Sequence, residues 1–143
     1  MDRDELVAFT RDFTAAFNRN DLDAVMSYFA EDAVYDEFDG TVSRGRDAVR
    51  AAFEPQFGGA YGRMVFDEED CFADAGAGRA LITWTVSLQV RGEPVAWQGL
   101  DILHVEHDRI TRKLTYAKAK TPLFRAVDGP ERPVPDTRER EVL

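Results

Sequence analysis

Arg79–Val90, RALITWTVSLQV, decides the fold class. Ile82, Trp84, Val86, Leu88 and Val90 fall on alternate positions, the period-two pattern of a strand with one buried face. Arg91-Gly92-Glu93 then reads as a hairpin turn, Val95–Glu106 as the next strand, His107-Asp108 as a tight turn and Arg109–Lys120 as the last strand. Upstream, Arg63–Ala75 carries the same period, and Asp74–Gly78 turns the chain into RALITWTVSLQV. The second half of the chain is therefore predicted to be four long strands in consecutive antiparallel hairpins.

The first half has a different period. Leu6, Phe9, Phe13, Ala16 and Phe17 recur every three or four residues, which predicts a helix over 3–18. Asn20 breaks that pattern and is placed to cap a second helix, with Leu22, Val25, Met26 and Phe29 on one face. Ala33–Phe38 reads as a short strand before a turn at Asp39-Gly40. Gly45 and Asp47 open a third helix with Val49, Ala52, Phe53 and Phe57 inward. Pro55 is expected to end or kink it, because proline lacks an amide donor. The order gives an α+β class: three N-terminal helices on one face of a strongly curved antiparallel sheet. A curved sheet closed on one side by helices leaves a cone-shaped cavity, a natural ligand site. The domain is expected to span 1–127. Residues 128–143, with Pro130, Pro133 and Pro135 among alternating charges, read as a flexible tail or strap.

Composition narrows the function. The chain has 143 residues, 44% hydrophobic and 31% charged, enough for one packed domain. Acidic residues outnumber basic ones 27 to 18, a net charge of −9. That balance excludes a nucleic-acid binder, which needs clustered positive charge, and disfavours an anionic membrane surface. No stretch has the roughly 20 apolar residues of a spanning helix, and MDRDELVAFT lacks the apolar core of a signal peptide, so a cytoplasmic protein is expected. Cys71 is the only cysteine, which leaves no intrachain disulfide and no cysteine metal cluster. His104 and His107 are the only histidines: His104 alternates opposite to Asp101, toward the outer sheet face, and His107 is a turn residue. The run Asp67-Glu68-Glu69-Asp70 reads as a solvated guard on a sheet edge rather than a cation site. Neither a metal nor an organic cofactor is implied.

The segments DLDAVMSYFAEDAVYDEFDG (21–40), SRGRDAVRAAF (43–53), WTVSLQVRGEP (84–94) and GLDILHVEHDRITRKLTYAK (99–118) resemble the nuclear transport factor 2-like superfamily. Within it the chain is most similar to the SnoaL-like proteins, which include polyketide cyclases and resemble ketosteroid isomerases. The resemblance covers roughly residues 3–121. It implies the cone-shaped α+β fold, a homodimer formed through the outer sheet face and a small hydrophobic ligand. The superfold hosts many chemistries, so it implies function less sharply than fold. In the ketosteroid isomerases, a worked case of carboxylate tuning, a carboxylate base and two hydrogen-bond donors surround the substrate's carbonyl. Carried over residue by residue, the base falls on Glu37 and the acid donor on Asp101. The donor tyrosine falls on Phe13, which has no hydroxyl, so a steroid isomerase is not expected.

Read as residues, Asp101 sits between Leu100 and Ile102, where an unpaired carboxylate is costly to bury and would be kept protonated. The bland alternative pairs it with an arginine such as Arg112 or with a backbone amide. Glu37 stands among Asp36 and Asp39 as either a base at the cavity mouth or a solvated turn carboxylate; a slip by one puts Asp36 in its place. Trp84, Val86 and Leu88 match the pocket-facing stripe of the family, with Trp97 on the paired strand, and the alternative for all four is plain core or interface. Phe13, Tyr35 and Tyr116 complete the expected ligand-binding set. A two-residue turn at His107-Asp108 puts Arg112, Leu114 and Tyr116 on the Asp101 face; the longer turn of the family puts Lys113 there, and both stay open. A lysine beside Asp101 would suit an acidic substrate or, less naturally, a Schiff base, against the bland reading of an exposed strand end.

The functional expectation is a cofactor-independent isomerase or cyclase using acid–base chemistry on a small cyclic or polyketide-like carbonyl compound. Two alternatives stand beside it: a non-catalytic binder of an apolar small molecule, and a limonene-type epoxide hydrolase, which needs an Asp-Arg-Asp set. A cavity filled by Trp84, Trp97 and phenylalanines would instead mark an interaction module.

Overall fold

The computed structural model describes residues 1–127; the tail expected over 128–143 lies outside them. Helix α1, Arg3–Asn18, starts at a capping box in which Asp2 Oδ1 accepts from the Glu5 amide at 2.8 Å and the Glu5 carboxylate accepts from the Asp2 amide. Asn20 adopts a left-handed conformation (φ 55°), so Asp21, not Asn20, caps helix α2, Leu22–Met26. That helix is shorter than its apolar pattern suggests. Phe29 opens strand β1, Phe29–Asp36, where it is buried all the same.

Strand β2, Val42–Arg44, is a three-residue edge with no sequence signal of its own, held by pairing to β1. Helix α3, Arg46–Phe57, runs through Pro55 instead of stopping there. Only the last turn lies beyond the proline, so a single amide donor is forfeited near the helix end. Strands β3, Val65–Asp74, β4, Arg79–Val90, β5, Glu93–Glu106, and β6, Arg109–Ala117, follow as consecutive hairpins.

The six strands form one sheet in the order β2-β1-β6-β5-β4-β3. It is antiparallel except where β1 runs parallel to β6, so the sheet is mixed rather than wholly antiparallel. The helices cover one part of its inner face. There Phe13 is the hub of an aromatic cluster, with ring centroids 5.1 Å from Phe17 and 5.5 Å from both Tyr28 and Phe29. The inner faces of β4 and β5 extend past the helices, where Ile82, Trp84, Val86 and Leu88 pack with Met64, Phe66, Cys71, Val95 and Trp97. The cavity opens over that second cluster.

The hairpin between β5 and β6 resolves the alternative that spacing left open. Its turn is two residues, with His107 and Asp108 both at positive φ, and Val105 pairs with Ile110. The register then shifts: His104 pairs with Arg112, Leu103 with Lys113 and Asp101 with Thr115. Thr111 is the extra residue of this bulge, and its hydroxyl donates to the His104 carbonyl at 3.3 Å. A single inserted residue reverses the face of everything beyond it. Ile110, Lys113 and Thr115 therefore point inward, while Arg112, Leu114 and Tyr116 point out.

Candidate active site

The cavity has a volume of about 230 Å³, below the roughly 300–1,000 Å³ of most ligand clefts, so it suits a compact molecule. Phe17, Phe53, Met64, Phe66, Trp84, Val86, Leu88 and Trp97 form its apolar wall. Tyr35, Asp101, Lys113 and Thr115 contribute its buried polar groups, and Glu37, Phe38, Asp39 and Tyr61 its more exposed side. The cavity is open, so Trp84 and Trp97 line it instead of filling it.

The polar floor is assembled from four strands. Tyr35 on β1 stands directly across from Lys113 on β6, and Asp101 on β5 directly across from Thr115. Lys113 Nζ donates to Asp101 Oδ1 at 3.0 Å and to Thr115 Oγ1 at 2.7 Å. Thr115 Oγ1 donates in turn to Asp101 Oδ1 at 2.6 Å. Trp84 Nε1, reaching over from β4, donates to Asp101 Oδ2 at 3.1 Å. The ammonium also lies 4.5 Å from the centre of the Tyr35 ring. Asp101 and Lys113 are only 6% and 4% exposed, and no buried side-chain polar atom among the described residues lacks a partner.

Gly99 makes the Trp84 contact possible. It pairs directly with Trp84, and a Cβ built there would stand 2.5 Å from Trp84 Cη2 and 2.6 Å from the Tyr116 carbonyl oxygen. The absent side chain leaves the space in which the indole lies, with its N–H aimed at Asp101.

This geometry corrects the expectation of a protonated Asp101. Three donors converge on the carboxyl, and all three are matched by an ionised, acceptor-only carboxylate. Its cationic partner is Lys113, not Arg112. Burial disfavours the Lys113 ammonium, but the Asp101 carboxylate, with Tyr35, outweighs burial and holds its pKa above the usual lysine value. That ammonium is poorly suited to Schiff-base attack, which needs the free amine. Burial raises the Tyr35 pKa, against the opposing pull of Lys113, and keeps the phenol protonated.

Glu37 lies just beyond the end of β1, in the turn before β2, where its amide donates to the Thr41 carbonyl and its own carbonyl accepts from Gly40. Two residues on from Tyr35, it shares the inward phase and lines the cavity; Asp36 does not. Its carboxylate has no hydrogen bond or ion pair among the described residues. Partial burial, reinforced by the neighbouring Asp39 and opposed by Lys113, raises its pKa above the ordinary glutamate value.

Two members of the expected ligand-binding set are displaced. Phe13 is 1% exposed in the aromatic core and does not line the cavity, because the α1 stripe buries it against Phe17 and Phe29. Tyr116 is 53% exposed on the outer sheet face, turned out by the bulge at Thr111. Trp84, Val86, Leu88, Trp97 and Tyr35 line the cavity. Lys113 and Thr115 are the floor residues that pattern reading did not assign, since a bulge leaves no mark in residue alternation. The epoxide-hydrolase alternative loses its arginine: Arg112 faces out, and none of the described lining residues is an arginine. The acidic run on β3 is occupied by surface contacts. Arg11 Nε donates to Glu68 at 2.9 Å, and Glu69 accepts from Thr85 and Gln98. Cys71 is half-buried on this edge strand, with its thiol pKa raised by burial and by Glu68.

Comparison with known proteins agrees with this architecture. The SnoaL-like domain family model matches residues 10–113, and the chain belongs to that family. Among solved structures it is similar to a candidate polyketide cyclase from Xanthomonas campestris pv. campestris, at 23% identity and a TM-score of 0.72 over 81% of this chain and 92% of that one. A candidate polyketide cyclase from Pseudomonas putida follows at 19% identity and a TM-score of 0.68, covering 78% and 90%. A nuclear transport factor 2-like protein of unknown function from Mesorhizobium loti is 25% identical, with a TM-score of 0.69 over 83% and 96%. No curated protein matches the chain in sequence.

Proposed function

We propose that this SnoaL-like protein is a cofactor-independent acid–base catalyst acting on a small, compact cyclic or polyketide-like carbonyl compound. One observation carries the reading: the Glu37 carboxylate, without an ion pair among the described residues, and the buried Tyr35–Lys113–Asp101–Thr115 group line the same otherwise apolar cavity. Glu37, with its raised pKa, removes a proton next to the substrate carbonyl and returns it elsewhere. The developing enolate oxygen is stabilised by the Lys113 ammonium and the Tyr35 hydroxyl, buried donors at the floor of an otherwise apolar cavity. Asp101 acts through Lys113 as a positioning residue, keeping the ammonium charged and aimed. The fold shared with candidate polyketide cyclases supports this substrate class.

Enolisation of a two-ring ketone tests the reading. Deuterium exchange at the α-carbon of β-tetralone, followed by NMR, is expected to accelerate with the protein. Glu37→Gln should lower that rate by about 10²- to 10⁴-fold while binding persists. Saturable binding without exchange would replace the enzyme with a non-catalytic binder, and no binding would remove the site altogether. The proposal also takes the protein as cytoplasmic and as a homodimer paired through the outer sheet face, where Phe72 and Tyr116 are half-exposed. Sedimentation equilibrium, with Tyr116→Glu as the disrupting variant, checks the pairing.

A further inference from the structure

The cavity's charges are unbalanced in one direction. Among the described residues its lining holds one cation, Lys113, and three carboxylates, Glu37, Asp39 and Asp101. Lys113 and Asp101 neutralise each other at 3.0 Å in the buried floor. Glu37 and Asp39 stand apart from them, and neither is in an ion pair with a described residue. The Asp39 carboxylate accepts from the Thr41 amide at 3.0 Å. Beside these carboxylates the rings of Phe38 and Trp97 lie 6.0 Å apart, tilted by 44°, and Tyr61 lines the same cavity. Phe38 and Tyr61 are half-exposed, so their rings are accessible at the mouth of this cavity.

Aromatic faces are the negative ends of ring quadrupoles, and a carboxylate beside them adds a full negative charge. The net charge of −9 gives the far field the same sign, which draws cations and repels anions. Lys113 does not reverse this balance, because Asp101 already neutralises its charge and leaves the Glu37 and Asp39 carboxylates in excess.

We infer that the ligand of this cavity carries an ammonium-type cation, held at the mouth by Asp39, Phe38 and Trp97 while its apolar body fills the interior. The inference rests on the cavity being a small-molecule site and narrows that molecule's class. It leaves Glu37 free for proton transfer.

Three probes sharing one two-ring body test it: β-aminotetralin, neutral tetralin bearing a hydroxymethyl group, and tetralin carboxylate. Their affinities are measured by isothermal titration at neutral pH, at low and high salt. The amine should bind about tenfold tighter than the carboxylate, with the neutral probe between them, and lose its lead as salt rises. Asp39→Asn keeps the acceptor for the Thr41 amide and so should keep the fold. It should shrink the amine's lead over the neutral probe severalfold. A carboxylate that binds as well as the amine overturns the inference, and so does a lead that survives Asp39→Asn. In both cases the cavity still binds, so the proposed site stands; failure of all three probes to bind removes both.

Discussion

At the cavity floor, Asp101 and Lys113 are 6% and 4% exposed and tied by hydrogen bonds to Thr115 and Trp84, whereas at the mouth Glu37 is partly exposed, Asp39 is exposed, and neither is ion-paired with a described residue. Both regions line the same cavity and both contain carboxylates. They differ in solvent. A buried charge must be matched within the protein, so the floor's side chains constrain one another's position and protonation. A mouth carboxylate keeps part of its hydration and stays available to a ligand. The floor is thus expected to govern stability, and the mouth to govern selectivity and proton transfer.

The most severe way to break this division is Lys113→Met. It leaves Asp101 buried with two neutral donors and no cation, and should cost about 3–5 kcal/mol in denaturant unfolding. The double variant Asp101→Leu/Lys113→Met should recover much of that loss; a double variant as unstable as the single one would show that the pair is not the source.

A smaller effect is expected at Gly99→Ala. The new methyl displaces the Trp84 ring or the backbone at Tyr116, an overpacking cost of about 1–3 kcal/mol, accompanied by a shifted tryptophan emission as Nε1 loses Asp101. An unchanged emission spectrum would mean that the indole has another resting place.

The smallest change in stability is expected at the mouth. Glu37 has a raised pKa in the folded chain, so its contribution favours the fold at low pH and is lost as pH rises through that raised value. Glu37→Gln should therefore leave neutral-pH stability unchanged or slightly higher, within about 0.5 kcal/mol. In the proposed reaction Glu37 acts as a base only when ionised. Turnover in the unsubstituted protein should thus fall on acidification at a higher pH than an ordinary glutamate would give, and rate measurements across that range check the sign.

How much of this was legible in advance varies by element. Strand β4 ends where its alternation ends, because every inward position from Ala80 to Leu88 is buried and one period describes it throughout. Strand β6 shares the composition of a strand but not the clean period. Ile110 is inward and so are Lys113 and Thr115, an odd–even break that residue types alone cannot separate from a slipped register. The place of Glu37 beside the cavity follows from the inward phase of Tyr35, which carries through to it, while the base role is what the family resemblance implies. Phe13 enters the expected ligand set through the family's helix-tyrosine position, whereas its own place in the α1 stripe buries it against Phe17 and Phe29.

The sequence by itself determined the order of helices and strands, the inward stripe of Trp84, Val86 and Leu88, the excess of acidic charge and the candidate pair Asp101 and Glu37. The element order, the stripe and the charge follow from local periodicity and composition, which need no partner strand; the candidate pair is what the family resemblance implies. Only the tertiary structure decided that Asp101 is an ionised partner of Lys113, that Tyr116 faces out, and that the cavity remains open. Each of these depends on the bulge at Thr111 and on β1 lying beside β6, pairings between residues far apart in the chain whose register no single segment encodes.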